Sequence, residues 1–349
     1  MEKIPVAILA ATGTVGQRFV QLLDRHPWFK VVALTGSDRS IGQRYEDVCH
    51  WVLPTPMPDW AKGMQIIATE VGALEARIVF SALPTSMALE WEARFAQDGF
   101  LVCSNASAYR MEPDVPILIP EVNADHIELV ETQRKNRGWK GAIITNPNCT
   151  STGLTVALKA LEDAFGVKAV MAVSMQAISG AGYPGVASLD ILDNILPYIA
   201  EEEEKVEQEP RKMLGKYSNG KIEFAPFPIS AQTNRVAVSE GHLVCFSAGL
   251  NKAASMAEIK AALEGYRPPK ICLNLPSTPQ PIIKVFNQPD RPQPRLDRML
   301  GNGMTTSVGR IRPDPIWDVK MTVLSHNTIR GAAGGSIYNA ELAYQAGLI

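Results

Sequence analysis

The sequence predicts an α/β protein in two domains, a parallel sheet wound with helices followed by an α+β unit. Three observations predict it. Val6-Ala7-Ile8-Leu9 is a short continuous apolar run, followed at once by a glycine-containing turn and a helix-like stretch from Gln17 to Leu23, the order of a buried strand feeding a helix. The same pattern of an apolar run ending in a small-residue loop returns at residues 76–84 and 99–110. Beyond residue 149 strand-like runs dominate, above all the long one from Val167 to Gln176. A length of 349 residues is enough for two domains of ordinary size.

Composition narrows the partners. A hydrophobic fraction of 46% and a charged fraction of 20% are those of a soluble globular protein. A net charge of −2 gives no footprint for nucleic acid, which demands clustered Lys and Arg. The 5 cysteines are widely spaced, with no CxxC pair and no Cys/His cluster of zinc spacing, so they read as reduced thiols of a cytoplasmic protein without a metal. Residues 1–5 lead into an apolar run too brief for a signal-peptide core or a membrane span. The acidic run Glu201 to Glu204 reads as a solvated helix face.

In chain order, the first informative element is the turn Ala10-Ala11-Thr12-Gly13-Thr14-Val15-Gly16. Small residues there let a pyrophosphate approach the backbone of Thr12, Gly13, Thr14 and Val15, and the following helix turns its N-terminus to that charge. This is a Rossmann-like dinucleotide site. It departs from G-x-G-x-x-G, because Ala10 and Thr12 replace the first two glycines. The second strand, Lys30 to Leu34, ends in Thr35-Gly36-Ser37-Asp38-Arg39-Ser40. Ser37, Arg39 and Ser40 together offer donors to the extra 2′-phosphate of NADP, with Asp38 turned to solvent. The strand at residues 76–84 brings Ser81 over the cofactor, and the strand Gly99 to Cys103 delivers Ser104 to Arg110 to the same edge. Arg110, after hydroxyl and amide residues, suits a phosphate or carboxylate held bidentately. Pro113, Pro116 and Pro120 punctuate a connection before a helix from about Asn123 to Asn136.

Asn146-Pro147-Asn148-Cys149-Thr150 lies between the apolar run Ala142-Ile143-Ile144 and a stretch with Leu154, Leu158 and Leu161 on one helical face. Cys149 therefore sits at a strand-to-helix junction. Free N–H groups and the helix dipole favour its thiolate there, so its pKa is expected below that of a free cysteine.

In the second domain the strand Val167 to Gln176 runs into Ala177-Ile178-Ser179-Gly180-Ala181-Gly182, whose glycines suggest a close approach of ligand. An acidic helical region extends from Ser188 to about Leu214. Further strands are expected at Ile222–Phe224, Arg235–Val238, His242–Ser247, Ile282–Val285 and Val319–Leu324. His242, at the start of its strand, has the side chain suited to moving protons near neutral pH. The segment Ser325 to Ser336 is too rich in glycine and alanine for routine packing. It reads as a return to the first domain, with a helix from about Gly334 to Gln345 closing the first sheet. The expected units are residues 1–148, completed by 328–349, and residues 149–327.

Taken together, Thr12 to Gly16, Ser37 to Ser40, Ser104-Asn105-Ala106-Ser107, Asn146 to Thr150, Met175 to Gly182, Asn234-Arg235-Val236, Gly241-His242 and His326 to Gly331 resemble the aspartate-semialdehyde dehydrogenases, particularly their archaeal and fungal branch. The resemblance runs nearly end to end. It implies an NADP-dependent enzyme that reduces 4-phospho-L-aspartate to L-aspartate 4-semialdehyde reversibly, in lysine, threonine, methionine and isoleucine biosynthesis. It implies Cys149 as nucleophile, His242 as general acid/base, and Asn148 with the Cys149 N–H as oxyanion donors. Gln176 and Arg235 would orient the substrate, Arg235 through its α-carboxylate, and Arg110 would bind phosphate. Glu209-Pro210-Arg211-Lys212 looks like the family's Glu-x-x-Lys pair, giving Glu209 the substrate ammonium and Lys212 the phosphate. Ser179, Gly180 and Asn327 would join the cofactor site, and the second domain would form a homodimer or homotetramer. Ala10 departs from a glycine common at the start of the turn, and Ala237 stands where many relatives have Pro.

Three rivals are defined by chemistry. A malonyl-CoA reductase resembles this branch but takes a CoA thioester, and Glu209 argues against it because malonate has no ammonium. An N-acetyl-glutamyl-phosphate reductase is weaker still. A nucleotide-binding regulatory protein on the same fold requires an unreactive Cys149.

Overall fold

The structure, a computed structural model, describes residues 2–349. Strands β1 (Ile4–Leu9), β2 (Phe29–Thr35), β3 (Ile66–Ile67), β4 (Ile78–Ser81), β5 (Leu101–Ser104) and β6 (Ala142–Thr145) form one sheet in the order β3-β2-β1-β4-β5-β6, parallel throughout. β4, β5 and β6 are buried at every residue, which is why their sequences are unbroken apolar runs rather than alternating ones. The strand order reverses between β1 and β4, so a crevice opens at their carboxyl ends.

The longer helices are α1 (Thr14–Leu22), α2 (Thr85–Asp98), α3 (Leu129–Arg137), α4 (Cys149–Phe165), α5 (Glu202–Met213), α6 (Met256–Glu264) and α7 (Gly334–Gln345). Ile337, Tyr338 and Leu342 of α7 share a core with Val6, Phe19, Phe80 and Ile144. The last helix therefore belongs with the first sheet, and the chain crosses between the two sheets twice.

The second sheet contains β7 (Val167–Gln176), with β8 (Lys216–Ser218) and β9 (Lys221–Glu223) standing apart as a hairpin. β10 (Ile229–Arg235), β11 (His242–Leu250), β12 (Ile283–Val285), β13 (Thr306–Pro313) and β14 (Val319–Ser325) complete it in the order β10-β7-β11-β14-β13-β12, with parallel and antiparallel pairs mixed. α4 packs on this sheet, as Leu154, Leu158 and Leu161 join Val170, Val244 and Val323 in its core. Met171, on β7, is 47% exposed and marks the opposite, open face.

Several boundaries move. The strand expected at 235–238 ends where it was expected to begin, because Ile229 to Arg235 alternates buried and open residues behind polar names. The expected helix at 123–136 is a tight turn over 124–128 followed by α3. The acidic region resolves into a short turn at Ser188–Ile191 and α5. β13, α2 and α6 were not anticipated.

Candidate active site

Cys149 is the first residue of α4, and Asn148 caps the helix: its Oδ1 accepts from the Thr150 and Ser151 N–H groups at 2.9 and 3.1 Å. The sulfur lies 3.2 Å from His242 Nε2. His242 opens β11, and its Nδ1 accepts the Ala177 N–H at 3.0 Å. A neutral imidazole holding a lone pair at Nδ1 carries its hydrogen on Nε2, so that hydrogen faces the sulfur.

The sulfur does not have the low pKa expected from its helix end. Burial pushes the Cys149 thiol up to about 12, Glu202 adds to that, and Arg110 and Arg235 oppose it. Desolvation plus a carboxylate outweigh the dipole. Burial likewise draws His242 down to about 3, helped by Arg235 and His326. The resting pair is a thiol beside a neutral ring.

Arg110 is buried, and its guanidinium donates to Asn146 O at 2.9 Å, Asn105 O at 2.7 Å and Glu209 Oε1 at 3.0 Å. A guanidinium has five N–H groups, so one on each terminal nitrogen is left for an anion. Glu209 is 2% exposed; its Oε2 accepts the Asn148 N–H at 2.6 Å, so both oxygens are engaged within the protein. Lys212 differs from the role the resemblance gives it. Its Nζ donates to the carbonyls of Arg110, Glu112 and Val115 at 2.7, 2.7 and 2.8 Å, and an ammonium has three hydrogens. It braces the Arg110 segment and has no donor free for phosphate.

Arg235 ends β10 beside Gln176 at the end of β7, and its Nη1 donates to Ala177 O at 2.9 Å. Gly180 passes so close that a Cβ there would lie 2.7 Å from Arg235 Nη1 and 3.1 Å from His242 Nε2. Gly331 is as constrained, since its Cβ would sit 2.7 Å from both Cα and Cβ of Cys149. The glycine-rich return segment thus packs directly behind the nucleophile.

A cleft of about 710 Å³ opens at the carboxyl ends of β1, β2 and β4, lined in part by Thr12, Gly13, Ser37, Asp38, Ala82 and Pro84. α1 starts there at Thr14 with Gly13 as its cap residue and no side chain bonding its first N–H groups, leaving them, with Val15 behind, to a ligand. Ala10 adopts φ 55°, the left-handed region where the replaced glycine would be unstrained. Ser37, Arg39 and Ser40 sit on the turn after β2. Asp38 is exposed at the rim of the same cleft. One expectation fails here. Ser81 is fully buried and its hydroxyl faces Glu92 rather than a ligand, because the strand side chain points into the layer between sheet and α2. Ser179 and Gly180 lie at the mouth of the Cys149 pocket, whereas Asn327 is buried, donating to Ser179 Oγ at 2.8 Å and accepting the Gly241 N–H at 2.8 Å. Asn327 ties the loop to the His242 strand.

Two residues escaped the sequence reading. Glu202, in a run whose composition suits a solvated helix face, is 8% exposed and accepts from Asn148 Nδ2 at 2.8 Å and Gln176 Nε2 at 3.1 Å. Its signal was its spacing from Glu209, two helical turns on one face. Glu240 pairs with Arg18 of α1 and accepts from Thr328 Oγ1 at 2.9 Å; despite burial, His326 and Arg18 hold its carboxyl down to about 2. It joins the cofactor helix to the His242 loop. Among the described residues no cluster suits a metal ion and no helix is long and apolar enough to cross a membrane.

Comparison with known proteins adds independent findings. Residues 5–130 match the model of the semialdehyde dehydrogenase NAD binding domain, and residues 158–330 that of the semialdehyde dehydrogenase dimerisation domain. The chain is 51% identical over 344 residues to the aspartate-semialdehyde dehydrogenase of Archaeoglobus fulgidus, covering 99% of both. It is 47% identical over 352 residues to that of Schizosaccharomyces pombe, again covering 99% of each. The crystal structure of the Candida albicans aspartate-semialdehyde dehydrogenase with NADP superposes with a TM-score of 0.91 at 41% identity over 100% of both chains.

Proposed function

Because the chain belongs to the semialdehyde dehydrogenase family, we propose that it interconverts 4-phospho-L-aspartate and L-aspartate 4-semialdehyde with NADP(H), through an acyl group carried on Cys149. The observation that carries this reading is the 3.2 Å contact between Cys149 Sγ and His242 Nε2, with the buried guanidinium groups of Arg110 and Arg235 both acting on that sulfur. A nucleophile, a proton-bearing ring and two anion-binding cations in one pocket are what acyl transfer from a phosphate to sulfur needs.

The cleft fits a dinucleotide: small residues, an uncapped helix N-terminus and a polar turn at the end of β2. Thr12, Gly13, Thr14 and Val15 would hold the pyrophosphate, and Ser37, Arg39 and Ser40 the 2′-phosphate. Bound there, NADPH supplies the hydride that reduces the acyl carbon.

The remaining work falls to the chain. Cys149 sulfur attacks the acyl phosphate, its S–H proton leaves with the displaced group as hydrogen phosphate, and the two unused Arg110 donors hold that product. Arg235 takes the α-carboxylate and Gln176 offers its oxygen to the substrate. The Cys149 N–H and the second Asn148 amide hydrogen face the oxyanion, and His242 donates through Nε2. Glu209 keeps Arg110 and the Asn148 N–H and offers its remaining lone pairs to the substrate ammonium. Lys212 keeps the Arg110 segment in place throughout.

In this reading residues 1–148 with 328–349 form the nucleotide unit and 149–327 the catalytic unit, in a cytoplasmic enzyme of amino-acid biosynthesis. The open face of the second sheet, together with Leu189 at 91% and Tyr198 at 70% exposure, supports pairing with a second copy into a homodimer or homotetramer. The test supplies NADPH with 4-phosphoaspartate and, separately, malonyl-CoA, following loss of the reduced nicotinamide. Oxidation with 4-phosphoaspartate alone is expected; oxidation with malonyl-CoA alone removes the reading.

A further inference from the structure

We infer that Glu202 is a positioning residue of this site, whose carboxylate dictates which way the amide of Gln176 faces around Cys149 and braces that of Asn148. The inference rests on the reading of Cys149 as nucleophile. Glu202 is the first residue of α5, and one of its oxygens, Oε1, accepts from Asn148 Nδ2 at 2.8 Å, Gln176 Nε2 at 3.1 Å and Thr150 Oγ1 at 3.3 Å. An ionised carboxylate only accepts, so each amide must turn its nitrogen to Glu202 and never its oxygen.

For Asn148, Glu202 reinforces an orientation that the Thr150 and Ser151 N–H groups already require, with Oδ1 capping α4 beneath the nucleophile. Gln176 divides its two amide hydrogens between Glu202 and Ser174 Oγ, at 3.2 Å, and so presents its oxygen to the pocket. A neutral amide at position 202 accepts and donates equally well, and the distinction between the two ends of Gln176 is lost. Glu209, seven residues later (209 − 202) on the same helix face, grips the Asn148 backbone and Arg110. One helix therefore sets both the main chain and the side chains around the sulfur.

Glu202 also places a negative charge near a sulfur whose other charged or titratable neighbours are Arg110, Arg235 and His242. Removing that charge leaves two guanidinium groups and makes the thiol easier to ionise. Reactivity toward a small electrophile and turnover should then change in opposite directions, which a simple loss of packing does not produce.

The experiment uses the full chain and follows iodoacetamide alkylation of Cys149 against pH by peptide mass spectrometry, beside NADPH oxidation with 4-phosphoaspartate. Glu202→Gln is expected to move the alkylation profile down by about one pH unit while kcat falls about tenfold or more. Glu202→Asp, which keeps the charge, should hold the wild-type alkylation profile and recover part of kcat. Glu204→Gln, an exposed neighbour, should alter neither. Wild-type turnover in Glu202→Gln, or an alkylation profile that does not move, overturns the inference. If Glu202→Gln does not fold, Glu202→Asp decides: a displaced alkylation profile or undiminished kcat overturns it. Cys149→Ser separates this from the parent reading, because turnover surviving in that variant removes the nucleophile while the alkylation shift in Glu202→Gln still stands or falls alone.

Discussion

Around Cys149 the polar side chains are buried and hold one another: Arg110 with Glu209, Lys212 with three carbonyls, Gln176 and Asn148 with Glu202. Along the nucleotide cleft Ser37, Asp38 and Arg39 are exposed, and the donors are backbone N–H groups at an uncapped helix end. The two regions receive anions by different physics. The pocket fixes its dipoles in advance, in a dry setting where charge interactions are strong and an unpaired group is costly. The cleft relies on a helix terminus and solvated side chains, which bind without being needed to hold the fold together. Substitutions should therefore disturb stability and chemistry together in the pocket, and affinity alone in the cleft.

The largest contrast should come from Arg110→Ala. It strips the buried Glu209 of its counterion, and losing one partner of such a pair typically costs about 3–5 kcal/mol, read by denaturant unfolding. Burial already raises the Glu209 pKa, and without Arg110 it rises further. The native variant then binds more protons than the unfolded chain, so its stability should fall as pH rises above the ordinary carboxylate range. A variant as stable as the parent at pH 8 would break the comparison.

Next in size is the pH dependence of the nucleophile. With the thiol pushed up to about 12 and His242 drawn down to about 3, alkylation of the free enzyme should climb about tenfold per pH unit above neutrality. A plateau reached near pH 7 would instead reveal a thiolate–imidazolium pair. The smallest effect is expected from Arg39→Ala in the cleft. It should raise KM for NADP about tenfold through loss of a charge-assisted contact, leave NAD use unchanged, and shift unfolding by no more than about 0.5 kcal/mol.

The same contrast explains what the sequence disclosed. Fully buried parallel strands such as β4 and β6 are unbroken apolar runs and could be read directly, as could the strand-turn-helix junctions that carry Gly13 and Cys149. β10 was displaced because Ser230, Gln232 and Asn234 give it a polar surface while its alternate residues are buried. The resemblance named Cys149, His242, Arg110 and Arg235, and the structure brings all four into one pocket. What the sequence could not convey was engagement: nothing in Glu-x-x-Lys says that Lys212 faces three carbonyls, and nothing in four consecutive glutamates says which one is buried. The thiol pKa was misjudged for the same reason, since the dipole is visible in the order of elements and desolvation is not.

The second crossing, which returns the final helix to the first sheet, bears on how such chains can be recombined. A chimera joined to a relative at a single point near residue 148 would seat one parent's Ile337, Tyr338 and Leu342 in the other parent's core. Residue 331 and the sulfur it packs behind would still come from one parent, since both follow the junction. A double exchange that carries α7 and the tail, 334–349, along with 1–148 keeps both the core and the contact behind the sulfur within one lineage.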